Sequence, residues 1–182
     1  MTPQKNTTPA HFAKIFLVGL MGSGKSTIGR ALSQRLSLDF LDSDREIEEH
    51  TGVSISLIFD IEGESGFRQR ELNIIDKLTN KNQLVLATGG GAVLNPLNRQ
   101  RLQQRGVVIY LSASIERILE RTRNDQSRPL LQTDDPYQTL TDMHTLRDPL
   151  YRDIADLIID TAKPLHVVIH DIITSLNHLK TV

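Results

Sequence analysis

Residues 19–26, Gly-Leu-Met-Gly-Ser-Gly-Lys-Ser, fit the pattern G-x-x-x-x-G-K-[ST]. Each residue type there has a chemical reason. Nucleotide phosphates concentrate negative charge, and Gly22 and Gly24 let consecutive backbone N–H groups turn inward as an anion nest. A helix beginning near Lys25 adds its positive end. The lysine can reach the β- and γ-phosphates, and the Ser26 hydroxyl can ligate Mg²⁺. The flanks agree with this: an apolar, strand-like run, Lys14–Val18, comes before and a helical pattern comes after. Such a loop implies a bound nucleotide but names no acceptor.

Three other stretches carry groups that could. Asp42-Ser43-Asp44 closes a short second strand, and open α/β sheets bind ligands just beyond the carboxyl ends of their strands. Two carboxylates can divide the work there. One holds Mg²⁺ through water, which that ion gives up reluctantly. The other accepts a hydrogen bond from an attacking hydroxyl. Capping of the next helix is the plainer role, and it accounts for one acid better than for two. Gly89, Gly90 and Gly91 follow the apolar strand Leu84–Ala87. A run of glycines is costly in chain entropy, so it predicts a place where substrate and transferring phosphate approach the backbone too closely for any β-carbon. In residues 63–71, Arg68 and Glu71 lie three apart on an expected helix and share a face. Residues 147–153, Arg-Asp-Pro-Leu-Tyr-Arg-Asp, add Arg147 and Arg152. On spacing alone, solvated helix surface is the better reading of both pairs.

The elements that must position these groups alternate. Strands are expected at 14–18, 39–44, 84–87, 107–111 and 156–160. Helices are expected at 27–36, 44–52, 54–63, 64–80, 95–106, 114–122, 137–155 and 164–179, with Gly63 separating the third from the fourth. Gly66 lowers the propensity of the fourth by roughly 1 kcal/mol, and Pro149 should kink or interrupt the seventh. Strand–helix alternation argues for a parallel α/β sheet covered on both faces. The 182 residues fit one domain, 14–182, after a polar, disordered tail at 1–13. With 21 basic and 22 acidic residues and a net charge of −1, nothing points to a nucleic acid or a membrane surface as partner. There is no cysteine, hence no disulfide framework, and no apolar run approaches the roughly 18 residues of a membrane span.

In their order and spacing, "VGLMGSGKSTIGR", "FLDSDREIEEHTG", "IFDIEGESGFRQRE", "ATGGGAV", "SRPLL" and "PLYRD" resemble the shikimate kinases over nearly the whole chain. The resemblance implies a three-layer, five-stranded parallel sheet of the P-loop, nucleoside-monophosphate-kinase-like type. It implies a substrate-binding region at about 43–71 and a mobile lid at about 122–136. The implied reaction moves the γ-phosphoryl of ATP to the 3-hydroxyl of shikimate, with Mg²⁺, in a cytoplasmic monomer that serves aromatic amino-acid biosynthesis. Carried over by motif, Gly22, Ser23, Gly24, Lys25, Ser26, Thr27, Arg121 and Arg128 would bind ATP, with Arg121 beside adenine and Arg128 on the lid. Asp44, Arg68, Gly89, Gly90, Gly91 and Arg152 would bind shikimate, and Glu71 would orient Arg68. Ser26, and Asp42 through water, would hold the metal; Lys25, Asp44 and Arg128 would be catalytic. Two other readings remain open on the residues: a kinase for a different polyol acid such as gluconate, and a module that binds ATP as a switch without turnover.

Overall fold

The structure, a computed structural model, describes residues 13–123 and 133–179. Residues 1–12 of the expected tail, Arg128 and most of the expected lid lie outside the described residues. Five parallel strands, β1 (Lys14–Val18), β2 (Asp39–Asp42), β3 (Leu84–Ala87), β4 (Val107–Ser112) and β5 (Leu157–Asp160), stand in the order β2-β3-β1-β4-β5. Between and after them come α1 (Lys25–Leu36), α2 (Ser43–Thr51), α3 (Ile55–Thr79), α4 (Pro96–Arg105), α5 (Ile115–Thr122), α6 (Pro136–Ile154) and α7 (Leu165–Leu179). One 3-10 turn, Ala92–Leu94, follows the glycine run.

Side chains alternate along a strand, and both faces of this sheet are covered, so the strands are apolar almost throughout. Phe16, Val18, Leu84, Leu86, Val108 and Tyr110 point to one face, where α2, α3, α4 and α6 supply Ile47, Ile75, Leu102 and Tyr151. Ile15, Leu17, Val85, Ile109 and Leu111 point to the other, against Ile28 and Leu32 of α1 and Val168 and Ile172 of α7. With aromatics at only 4% of the chain, this packing is mostly aliphatic, with Phe16, Tyr110 and Tyr151 as its largest buried side chains.

Register decides where the chemistry goes. Ala87 pairs with Leu17 on one side and with Asp42 on the other. Three motifs distant in sequence therefore leave the sheet level with one another. β2 is shorter than its sequence pattern suggests, because Asp42 caps α2 and Asp44 already lies in that helix.

One helix expectation holds and another turns out differently. The break at Gly63 is present as a single residue at φ 68°, ψ −176° inside α3, a conformation open almost only to glycine. The segment after Gly63 is helical through Gly66; a β-carbon there would run into Glu62, whose carboxylate accepts from Arg70 across the break at 2.6 and 2.8 Å. Pro149 does not interrupt α6, which runs through it. The flanking turns are held by the buried Tyr151 and Ile154 and by the Arg152–Asp148 ion pair at 2.7 Å.

Candidate active site

Beyond β1 the chain turns through Gly19, Gly22 and Gly24 at φ 144°, 74° and 98°, and α1 starts at Lys25. No side chain caps that helix, so its first N–H groups are left for an anion. Lys25 is buried and arches back over its own loop, where Nζ donates to Gly19 O and Leu20 O, both at 2.8 Å. Ser23 is buried too, with its hydroxyl unpartnered. Ser26 Oγ donates to Asp42 Oδ2 at 2.7 Å, while Asp42 Oδ1 accepts from the Asp44 N–H at 3.1 Å. One carboxylate thus caps α2 and also faces the phosphate loop.

A cleft of about 830 Å³ opens from this loop and is lined on its far side by Asp44, Arg68, Glu71, Gly89, Gly90, Gly91 and Arg147. Thr27 and Arg121 line the nucleotide end. Arg121 is tied down there by Gly22 O at 3.2 Å and Thr161 O at 2.8 Å.

Asp44 carries the largest electrostatic perturbation in the cleft. Burial, then the neighbouring Asp42 and Glu71 carboxylates, push its pKa up to about 7, against the pull of Lys25 and Arg68. Its Oδ1 has no hydrogen-bond partner, and neither does Oε1 of the buried Glu71, whose acidity burial likewise weakens. A folded pKa above the ordinary 3.8 means that the folded chain holds more protons than the unfolded one between pH ~4 and ~7. Stability therefore falls as pH rises through that window. Asn mimics the neutral acid, so Asp44→Asn should melt higher than wild type at pH 8 in the absence of metal and ligand, by several degrees. Each kcal/mol is worth about 2–4 °C at this size. The gap should close towards pH 4. Thermal melts in chelator across that range check it, and a gap independent of pH would disprove the assignment.

The glycines make room for side chains of this wall. A β-carbon on Gly89 would lie 2.6 Å from Glu71 Oε1 and 2.7 Å from Asp44 Oδ1, and one on Gly91 would run into the Arg68 guanidinium. None of the three has a positive φ, so in this conformation what they supply is space. This refines the expectation of a ligand alone pressing on the backbone. The Gly89 N–H is also committed, donating to Ser43 Oγ at 2.8 Å. Arg68 in turn is held by Glu71 at 2.8 Å and Glu64 at 2.9 Å. Gly91→Ala should displace Arg68 while sparing the core, since the end of a flexible side chain can yield. The expected result is a rise of about tenfold in the KM of an anionic acceptor, the scale of one polar contact. Unaltered acceptor kinetics would show that Arg68 finds an equivalent position.

Among the described residues, Arg152 is the expected site residue that does not line the cleft. It is half-exposed, its Nε donates to Asp148 Oδ2 at 2.7 Å, and its guanidinium sits over the Tyr110 ring at 5.7 Å. Arg147, five residues earlier, lines the cleft instead, with 5% of its surface exposed and its Nε unpartnered. Helix geometry explains the exchange: Leu140, Arg147, Tyr151 and Ile154 recur at helical spacing on the buried face of α6, and Arg152 points away from it.

A phosphate-cradling loop after β1, in a sheet of order β2-β3-β1-β4-β5, opening into a cleft whose far wall holds two carboxylates and two arginines, defines a P-loop kinase for a small acceptor. A gluconokinase from Sinorhizobium meliloti shares that fold, with a TM-score of 0.60 at 19% identity over 92% of this chain and 93% of its own. The family profile described as shikimate kinase matches residues 21–177. The shikimate kinase of Dechloromonas aromatica is 54% identical over 156 residues, 86% of this chain and 85% of that one. That of Alteromonas mediterranea is 56% identical over 147 residues, 81% and 86% of the two chains. A solved shikimate kinase from Acinetobacter baumannii, in complex with shikimate, superposes with a TM-score of 0.91 at 46% identity, covering 93% of this chain and 96% of that one. The chain belongs to the shikimate kinase family.

Proposed function

We propose that the protein is a shikimate kinase that transfers the γ-phosphoryl group of ATP to the 3-hydroxyl of shikimate, giving shikimate 3-phosphate and ADP in aromatic amino-acid biosynthesis. The observation that carries this reading is the pairing of Arg68 and Arg147 on the cleft wall next to Asp44, within the same cleft as Lys25. Shikimate offers one carboxylate and three hydroxyls. Guanidinium forks suit the carboxylate, and the Arg147 Nε–H still lacks an acceptor. A desolvated carboxyl near neutrality suits a hydroxyl that must attack, and Asp44 has that character. The Acinetobacter baumannii relative that holds shikimate supports the same assignment.

On the nucleotide side, Gly22 to Thr27 receive the phosphates and Arg121 stands beside adenine. Arg128 is the arginine this reading brings to the transferring phosphoryl group. Ser26 and Asp42 are hard oxygen donors 2.7 Å apart at a helix start, and they fit a Mg²⁺ that keeps most of its water. No group of three or more His, Cys, Asp or Glu side chains among the described residues could hold a metal alone, in keeping with an ion that arrives with ATP. Such an ion would neutralise charge on the β- and γ-phosphates. The proposed enzyme acts as a monomer. No helix among the described residues is long and apolar enough to cross a membrane, and a cytoplasmic site with its ATP supply completes the proposal.

The test is ADP release on adding shikimate, gluconate or neither. Acceleration by shikimate alone is the expected result. Acceleration by gluconate would reassign the acceptor, and basal turnover unchanged by either would leave a nucleotide-binding switch.

A further inference from the structure

The glycine run is almost fully committed. The Gly89 N–H donates to Ser43 Oγ, Gly89 O accepts from the Ala92 N–H at 3.1 Å, Gly91 O accepts from the Leu94 N–H at 3.0 Å, and Gly90 O accepts from the Tyr151 hydroxyl. Among the described residues, no acceptor takes the N–H of Gly90 or of Gly91, and both residues line the cleft.

The Gly89–Ala92 hydrogen bond closes a four-residue turn whose central peptide joins Gly90 to Gly91. Gly91 has φ −94° and ψ −3°, the third position of a type I turn. Rotating the central peptide by half a turn would give a type II turn, which asks for φ near about +80° at that position. Most residues resist that torsion, whereas glycine takes it freely. Local chain energetics therefore leave the two turns close together. Their consequences are opposite, because the C=O and N–H of a trans peptide point in opposite directions. In one form the Gly91 N–H is offered to the ligand; in the other the Gly90 oxygen is, and it would repel a carboxylate or a phosphoryl oxygen.

We propose that the Tyr151 hydroxyl is a positioning group that locks the Gly90–Gly91 peptide with its N–H towards the cleft, and so sets acceptor affinity. Tyr151 is suited to the task. It is fully buried on α6, and its ring stacks on Tyr110 at 5.0 Å between centroids. Tyr110 is itself anchored by donating to Asp148 Oδ1 at 2.7 Å. The proposal rests on the shikimate kinase reading for its affinity readout but not for its structural one.

The experiment compares the full-length wild type with Tyr151→Phe and Tyr110→Phe. Both variants delete one hydroxyl from the same stacked pair, and only the first touches the glycine turn. Shikimate and ATP kinetics are measured, together with the Gly91 amide resonance of ¹⁵N-labelled, ligand-free protein. Tyr151→Phe should raise the KM for shikimate about tenfold, leave the KM for ATP within twofold, and split or exchange-broaden the Gly91 amide. Tyr110→Phe should change none of these beyond twofold. An unchanged shikimate KM in Tyr151→Phe overturns the proposal. So does a raised KM with a sharp, unmoved Gly91 amide, which would route the effect through the adjacent Arg147. Should the wild type release no ADP in response to shikimate, the functional reading fails instead. The amide then decides alone: broadened or split upholds the lock, and sharp and unmoved ends it.

Discussion

Lys25→Met should lower kcat at least ~10²-fold at saturating ATP and shikimate while the protein stays folded. That is the scale on which removing one preorganised electrostatic donor acts. In the free protein the ammonium rests on Gly19 O and Leu20 O. Its charge is buried, and a phosphoryl oxygen is a stronger partner than a neutral carbonyl. Exchanging those carbonyls for the transferring group places positive charge where negative charge builds up. Methionine retains the stem and loses the charge, so the melting temperature should fall by no more than a few degrees. Steady-state kinetics and a thermal melt check both parts, and a near-normal kcat would remove Lys25 from the chemistry.

Arg147→Ala should act on binding instead. A guanidinium that pairs with the acceptor's carboxylate does so before, during and after transfer, and uniform binding of that kind appears mainly in KM. Truncating one partner of a buried charge pair costs about 2–5 kcal/mol, a rise in the shikimate KM of roughly 30-fold to several thousand-fold. The KM for ATP should move far less. Arg152→Ala, by contrast, should leave the shikimate KM within about twofold, since its guanidinium is half-exposed and already paired with Asp148. Shikimate methyl ester sharpens the contrast. It should be a poor substrate for the wild type and should lose little more with Arg147→Ala. Strict additivity of the two changes would mean that arginine and carboxylate do not meet. If Arg152→Ala raised the KM and Arg147→Ala did not, the acid-binding role would return to Arg152.

Those two arginines also mark the edge of what the chain discloses before it is folded. The phosphate loop is legible because its function is local: eight consecutive residues make the nest, the helix start and the lysine. Asp42 and Asp44 are legible for the same reason, sitting where a strand hands over to a helix. All five strands stand within a residue or two of their apolar runs, because a parallel sheet buried on both faces leaves little choice of residue. The arginine on α6 was open to the same kind of argument. The spacing of Arg147, Tyr151 and Ile154 marks one helical face, and Arg152, roughly 140° away at 100° per residue, lies off it. Proximity to the second arginine's motif masks that signal in the sequence, and so does Pro149, a helix breaker by type. The packing around the glycines was not legible at all. What presses on Gly89 comes from Asp44 and Glu71, and what would press on a side chain at Gly91 is the far end of Arg68. Only the tertiary fold joins those positions.

The shared level of Leu17, Asp42 and Ala87 divides the molecule into two unequal ends. One inserted residue in β3 would turn its core side chains to the opposite face, and two would carry Gly89 some 6–7 Å beyond the carboxylates it accommodates. At the other rim of the sheet, the connections at 80–83 and at 155–156 carry none of the cleft residues. Length variation should therefore accumulate at that amino-terminal rim, where a longer loop costs little, and be nearly absent at the carboxyl-terminal one. A library of single-residue insertions, scored for complementation, would draw that asymmetry as a map: permissive below the sheet, intolerant above it, with the boundary running along the ends of three strands.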